Sequence, residues 1–348
     1  MYDRLADLKL EIEGYSLEPL QLDTPGGWTR RTTVIRIFGE GEAGLGEDVT
    51  YEGDEQVAFQ AQGPVLPLQG STTLDRFSNL LEGLDLFPAP PDSPASRNYR
   101  RWAFESAALD LALRQNRTTL AKALGRSRHP VRFAVSLGLG EPPSTARIRT
   151  ILKICPGMQF KIDLSDSWTA ETIRELAALD AVAVVDLKGQ YRGSFKGPAA
   201  DPGRYRLVAA GLPDAWIEDP AWETEPAAAL GPYGARITWD AILHSESDID
   251  ALPFQPRCIN IKPSRFGPLS ELLAVYRYCE SRGIRMYGGG QFELGPGRGQ
   301  IQYLASLFHA DEANDVAPSI YNSRDLPAEL PASPLKPSPD RFGFRWSS

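Results

Sequence analysis

From about residue 130 onward, short runs rich in β-branched and aromatic residues recur roughly every 20 to 30 positions, mostly with helical periodicity between them. The runs are "RFAVSLGL" (132–139), "MQFKIDL" (158–164), "VAVVDLK" (182–188), "AWIED" (215–219), "ARITWD" (235–240), "RCINIK" (257–262), "IRMYGGG" (284–290) and a weaker "NDVAP" (314–318). The segments "TAETIRELAAL", "PLSELLAVYRYCESRG" and "RGQIQYLASLF" read as helices, and a shorter piece lies at 225–230. Strand alternating with helix implies parallel pairing, and eight such strands predict a closed (β/α)8 barrel, a modified TIM barrel of the α/β class. Chemistry in such a barrel gathers at the C-terminal ends of the strands.

The first part of the chain follows another pattern. "LADLKLEIEGYSLEPL" and "TTVIRIFGEGEAGLGED" read as two strands joined by the loop "QLDTPGGWTRR". From about 98 to 125 the apolar spacing predicts helix ending at a glycine, preceded by an exposed proline-rich loop, "FPAPPDSPAS". An α+β domain over 1–125, a barrel over 126–320 and a proline-rich C-terminal segment over 321–348 are the expected divisions.

Composition removes several functions. A net charge of −8 and a pI near 5.1 argue against a nucleic-acid partner, whose phosphates need a basic footprint. Cys155, Cys258 and Cys279 are few, odd in number and without CxxC spacing, which fits a reducing compartment and core positions. The charged N-terminus is not a signal peptide, and no run approaches the roughly 20 apolar residues of a membrane span, so a soluble cytoplasmic protein is expected.

The strand endings carry the chemistry. "VAVVD" ends at Asp186, "AWIE" at Glu218, "RITWD" at Asp240 and "CINIK" at Lys262. Three carboxylates converging on one rim repel unless a cation holds them, and an oxygen-only ligand set favours Mg²⁺ over Zn²⁺. His244, beyond Asp240, reads as a loop or helix-start residue. Lys262 ends an apolar strand, where burial and a divalent neighbour would lower its pKa toward that of a general base. A salt bridge to one of the carboxylates is the plainer alternative.

At these residues the chain resembles the enolase superfamily, and within it the muconate-lactonizing-enzyme-like branch. "GGGQFELGPGRGQIQYLAS" resembles the seventh-strand segment of o-succinylbenzoate synthases and N-acylamino acid racemases, with Glu293 at their acidic position. The resemblance implies an N-terminal capping domain that closes the barrel, with the C-terminal segment packing back on it. It also implies metal ligation by Asp186, Glu218 and Asp240, a Lys262 base, and enolate stabilisation by Lys161. By the same analogy, 23–31 and 48–55 are covering loops with Trp28 and Tyr51 as substrate contacts, while Glu293 orients Lys262 or touches substrate. Homo-oligomers are common among the proteins it resembles.

Two positions depart from the family pattern. The second strand there usually ends Lys-x-Lys, but here Lys161 is followed by Asp163; the third commonly has Asn two residues after its ligand, where this chain has Lys188. Period-2 alternation puts Lys161 with Asp163, and Asp186 with Lys188, on inward faces of neighbouring strands. The displaced lysine is therefore expected to pair with Asp163, as a proton-transfer dyad or a structural ion pair. Loss of the usual second base favours a Mg²⁺-dependent lyase, or a cycloisomerase, over a racemase, acting on a small-molecule carboxylate. Two other readings stay open: a Schiff-base lysine aldolase whose "GPGRGQ" grips phosphate, and a member that binds metal and ligand without turnover.

Overall fold

The computed structural model describes residues 1–24, 27–191 and 197–346. The N-terminal elements are β1 Lys9–Ile12, β2 Gly14–Asp23, β3 Thr29–Gly39, β4 Glu42–Asp48, α1 Gly53–Gln62, β5 Gly70–Thr73, α2 Leu74–Glu82, α3 Ala95–Gln115 and α4 Leu120–Leu124. Each of the two strands expected here is thus divided in two. β2, β3 and β4 form an antiparallel sheet, whereas β1 turns away to pair with β5. The β3–β4 connection is the two-residue turn Glu40-Gly41, whose φ angles of 51° and 74° match the twist of a tight hairpin.

α3 lies flat on this sheet because β4 presents glycine to it. A Cβ on Gly46 would stand 1.9 Å from the Ala103 carbonyl oxygen, and one on Gly44 would stand 2.0 Å from that of Ala107. Arg100 and Asp48, both fully buried, pair at 2.7 Å, with the guanidinium held between the rings of Phe59 and Phe87.

The second architecture is the barrel, an α/β fold whose elements run β6 Ala134–Gly138, α5 Ala146–Ile154, β7 Gln159–Asp163, α6 Ala170–Ala177, β8 Val182–Asp186, α7 Pro202–Gly211, β9 Trp216–Glu218, α8 Thr224–Leu230, β10 Ile237–Thr238, α9 Glu246–Asp250, β11 Cys258–Ile261, α10 Pro263–Phe266, α11 Leu269–Arg282, β12 Arg285–Gly288 and α12 Pro296–Phe308. β6 to β10 pair in parallel in sequence order, as do β11 and β12. The Asn260 N–H donates to the Trp239 carbonyl at 3.0 Å and links the two sheets.

The eighth strand is reduced to two bridges, Asn314 with Phe133 and Asp315 with Gly289. The Asn314 side chain completes the closure, accepting the Gly288 N–H at 2.6 Å and donating to the Arg132 carbonyl at 2.9 Å. Residues that face outward on the strands, such as Phe160, Ile162, Val185, Ile217 and Ile259, are buried beneath the helices. Polar residues alternate with them toward the barrel axis, so the functional groups are carried on a rigid apolar frame.

The C-terminal segment forms no long element but is anchored. Phe344 is fully buried against Tyr303, Arg345 pairs with Asp110 at 2.8 Å, and Leu335 bridges to Val131. No helix among the described residues is long and apolar enough to cross a membrane.

Candidate active site

Strand register builds the site. Asp163 is opposite Asp186 and Asp186 opposite Glu218, placing three carboxyl groups on one rung of β7, β8 and β9. Asp240 follows β10 and Lys262 follows β11, each by the same alternation. Asp186, Glu218 and Asp240 are completely buried, and Lys161 and Lys262 are nearly so.

The polar contacts divide this cluster. Lys161 Nζ lies 2.5 Å from Glu218 Oε1, 3.5 Å from Asp315 Oδ2 and 3.7 Å from Asp186 Oδ2. Lys188 Nζ lies 2.7 Å from Asp186 Oδ2 and 3.1 Å from Asp163 Oδ1, so the displaced lysine and Asp163 are direct partners. On the other side Asp240 takes Lys262 at 2.7 Å and the Arg265 Nε at 3.0 Å. Lys188 has φ 55°, a left-handed conformation uncommon outside glycine, and its N–H is fixed by Asp186 Oδ1 at 2.9 Å.

Asp219, the second acid of "WIEDP", has a different task. It also turns left-handed, and its two carboxylate oxygens accept the N–H groups of Asp240 and Ala241 at 2.8 and 2.9 Å. It therefore sews the end of β9 to the end of β10. The carboxylates of Asp186, Glu218 and Asp219 offer oxygens within 4.8 Å of one another, whereas Asp240 is turned to its two cations.

The electrostatics report a shortage of positive charge. Burial, reinforced by Asp186 and Asp240, pushes the Glu218 carboxyl up to about 8 against the pull of Lys161. Burial and the same two neighbours push Asp219 up to about 7. Asp240 is held well below the ordinary carboxylate range, because Arg265 and Lys262 outweigh its burial. Burial raises Asp163, and the lowering by Lys188 only partly offsets it. Lys262 is raised, not lowered: burial pulls it down, but Asp240 more than compensates.

Asp163, Asp186, Glu218, Asp219, Asp240 and Asp315 face Lys161, Lys188, Lys262 and Arg265. If all are ionised, the negative excess is what one divalent cation would offset. The donors are oxygens alone, which suits a hard ion. The residues present fit a divalent metal.

The remaining candidates make other contacts. Trp28 is 44% exposed with its ring 5.8 Å from that of Phe292, and Tyr51 is 45% exposed beneath the Arg30 guanidinium. Part of the expected covering loop, residues 25 and 26, lies outside the described residues. Glu293 is directed at its own loop, accepting the Gln291 N–H at 2.8 Å and lying 3.6 Å from Arg298. The glycine-rich start of α12 already holds an anion: Glu47 of β4 accepts the N–H groups of Leu294, Gly295 and Gly297 at 2.6 to 3.1 Å. The phosphate-gripping reading of "GPGRGQ" is therefore displaced. His244 bonds the Arg265 carbonyl at 3.0 Å from its loop.

Several contacting groups among the described residues escape a reading based on charged strand endings. Asp315 stands on the vestigial eighth strand, Arg265 on the short helix after Lys262, and Asn260 and Tyr287 are neutral. Tyr287 donates its hydroxyl to Glu218 Oε2, and the Asn260 amide lies 3.5 Å from both Glu218 oxygens. Inward alternation from Lys262 was the signal for Asn260.

The capped parallel barrel is the fold of a solved member of the enolase superfamily from Listeria innocua, which superposes with a TM-score of 0.67 at 19% identity, covering 89% of this chain and 86% of that one. The chain belongs to the family described as domain of unknown function DUF8230, whose N-terminal domain matches residues 3–123 and whose C-terminal domain matches 127–323. It is 28% identical to an N-succinylamino acid racemase of Thermus thermophilus and 28% identical to an o-succinylbenzoate synthase of Geobacillus stearothermophilus, each match covering 92% of this chain and 88% of the relative. A dipeptide epimerase from Methylococcus capsulatus, solved with a magnesium ion, superposes with a TM-score of 0.68 at 22% identity, covering 91% of this chain and 92% of that one.

Proposed function

We propose that this chain uses Mg²⁺ to remove the α-proton of a small carboxylate substrate, giving an enolate that then loses a β-substituent or rearranges. The observation that carries the reading is the burial of Asp186, Glu218 and Asp240 at the ends of successive strands, with oxygens of Asp186 and Glu218 within 4.8 Å of each other and Lys262 2.7 Å from Asp240. Asp186, Glu218 and Asp240 would hold the ion. When bound, it supplies the positive charge that makes an enolate accessible from a weakly acidic C–H. Lys262 accepts the α-proton at Nζ as a neutral amine, which requires that it first part from Asp240 and give up its own proton. Lys161, kept cationic by Glu218, Asp186 and Asp315, donates hydrogen bonds to the substrate carboxylate as charge accumulates there.

Lys188 and Asp163 support a second reading. Besides its 3.1 Å contact with Asp163, the Lys188 ammonium lies 2.7 Å from Asp186 Oδ2, whereas Lys262 is paired with Asp240. Were Lys188 to deliver a proton to the second face, the outcome would be racemisation or epimerisation, as the names of the relatives suggest for those proteins.

One experiment addresses both readings. Acid sugars, dipeptides and N-acyl amino acids are incubated in D₂O with Mg²⁺, and α-deuteration is followed by NMR. The proposal expects substrate-dependent exchange that falls at least ~10²-fold in Lys262→Ala. Exchange undiminished in that variant rejects the base assignment. Exchange confined to one enantiomer favours elimination or rearrangement; exchange of both favours the two-base reading.

A further inference from the structure

Glu218 is gripped from both of its oxygens, but by groups of unlike character. Lys161 holds Oε1 at 2.5 Å with a full positive charge, which competes with any metal ion for that oxygen. Oε2 receives the hydroxyl of Tyr287, a neutral donor on β12, the seventh barrel strand. Tyr287 is 1% exposed and lies opposite Asn260 in the β11–β12 register, so its ring is locked by the barrel interior. Asn260 reaches the same carboxylate only at 3.5 Å, the outer limit for a hydrogen bond.

We infer that Tyr287 is a positioning residue for the metal: its hydroxyl fixes the plane of the Glu218 carboxylate, and so pre-orients that ligand. A phenol adds no charge, so it orients the carboxylate without repelling a cation. It uses one lone pair of Oε2 and leaves another in the carboxylate plane for coordination. Without it, Glu218 keeps one strong partner, Lys161, and swings about that contact. Groups that orient metal ligands in this way typically contribute 10- to 100-fold in affinity. The inference rests on the reading of Glu218 as a metal ligand.

The test is calorimetric titration of Mg²⁺ alone into chelator-stripped protein, with melting temperatures recorded without metal. Wild type should bind, Glu218→Ala should not, and Tyr287→Phe should bind about 10- to 100-fold more weakly. Asn260→Ala should lose less than Tyr287→Phe. In a Glu218→Asp background, whose shorter side chain withdraws from the hydroxyl, the cost of Tyr287→Phe should shrink to within about twofold. A merely structural Tyr287 would lower the melting temperature and leave affinity unchanged, or would cost the same in both backgrounds, and either result overturns the inference. If wild type binds, Glu218→Ala does not and Tyr287→Phe matches wild type, the positioning role alone fails. If wild type takes up no Mg²⁺, the metal reading fails with it.

Discussion

Lys161 touches three carboxylates from three different strands, and its removal is the most informative change at the level of single residues. Breaking a buried ion pair from one side leaves an uncompensated charge and typically costs 3–5 kcal/mol. Lys161→Met should therefore lower unfolding stability by about that amount without metal, and Mg²⁺ should restore part of it; denaturant titrations with and without Mg²⁺ check both. Equal losses in the two conditions would mean that the cation does not share the Lys161 carboxylates. Period-2 alternation made Lys161, Asp163, Asp186, Lys188 and Glu218 legible in the sequence, because a charge at the end of an apolar run stands out. Asn260 and Tyr287 obey the same alternation but carry no charge to draw attention. Asp219 was visible as half of an adjacent acid pair, yet nothing local distinguishes an inward ligand from a residue that binds the next strand's N–H groups. The resting pairing of Lys262 with Asp240 is likewise a property of three-dimensional proximity, not of either residue's neighbours.

Secondary-structure elements show where local reading succeeds and where distant contacts decide. The repeat of strand and helix beyond residue 130 predicts seven of the barrel strands, since each is a short apolar run between punctuating turns. The eighth run contains too little apolar sequence to pair along its length, so an asparagine side chain closes the ring instead. The two N-terminal runs each break in two because β1 finds a partner, β5, some sixty residues away. Docking of the N-terminal unit on the barrel depends on equally distant groups: Glu47 on the start of α12, and Arg30, whose guanidinium bonds the carbonyl groups of Gln291 and Phe292 at 2.8 and 3.2 Å. Glu47→Ala would orphan three backbone donors and the Thr32 hydroxyl in a buried joint, an expected loss of about 3 kcal/mol or more by urea denaturation. Glu47→Gln retains an acceptor and should lose less. A loss below ~1 kcal/mol for the alanine variant would show that the joint is held by packing alone.

At the scale of the whole molecule, closure of the barrel is linked to pH through His309. Its ring lies against Asn314 at 2.6 Å and Tyr276 at 3.2 Å, and burial lowers its pKa to about 4. The unfolded chain protonates near 6.5 while the folded chain does not, so stability is intact above 6.5 and declines as pH falls toward 4. The full contribution is about 3 kcal/mol. His309→Asn should flatten that part of the stability–pH curve; a curve unchanged in shape would remove His309 as its cause. The global fold was legible because the apolar frame repeats, whereas the reaction was not, because it depends on which buried cation meets which buried carboxylate once a metal arrives. Proton abstraction by Lys262 stands or falls with binding of that ion. The most direct measurement is therefore the stoichiometry of Mg²⁺ uptake by chelator-stripped protein, compared between wild type and Asp186→Asn. One ion per chain is expected for wild type and at least ~10-fold weaker uptake for the variant; no uptake by wild type, or equal binding by the two, would rule the metal site out.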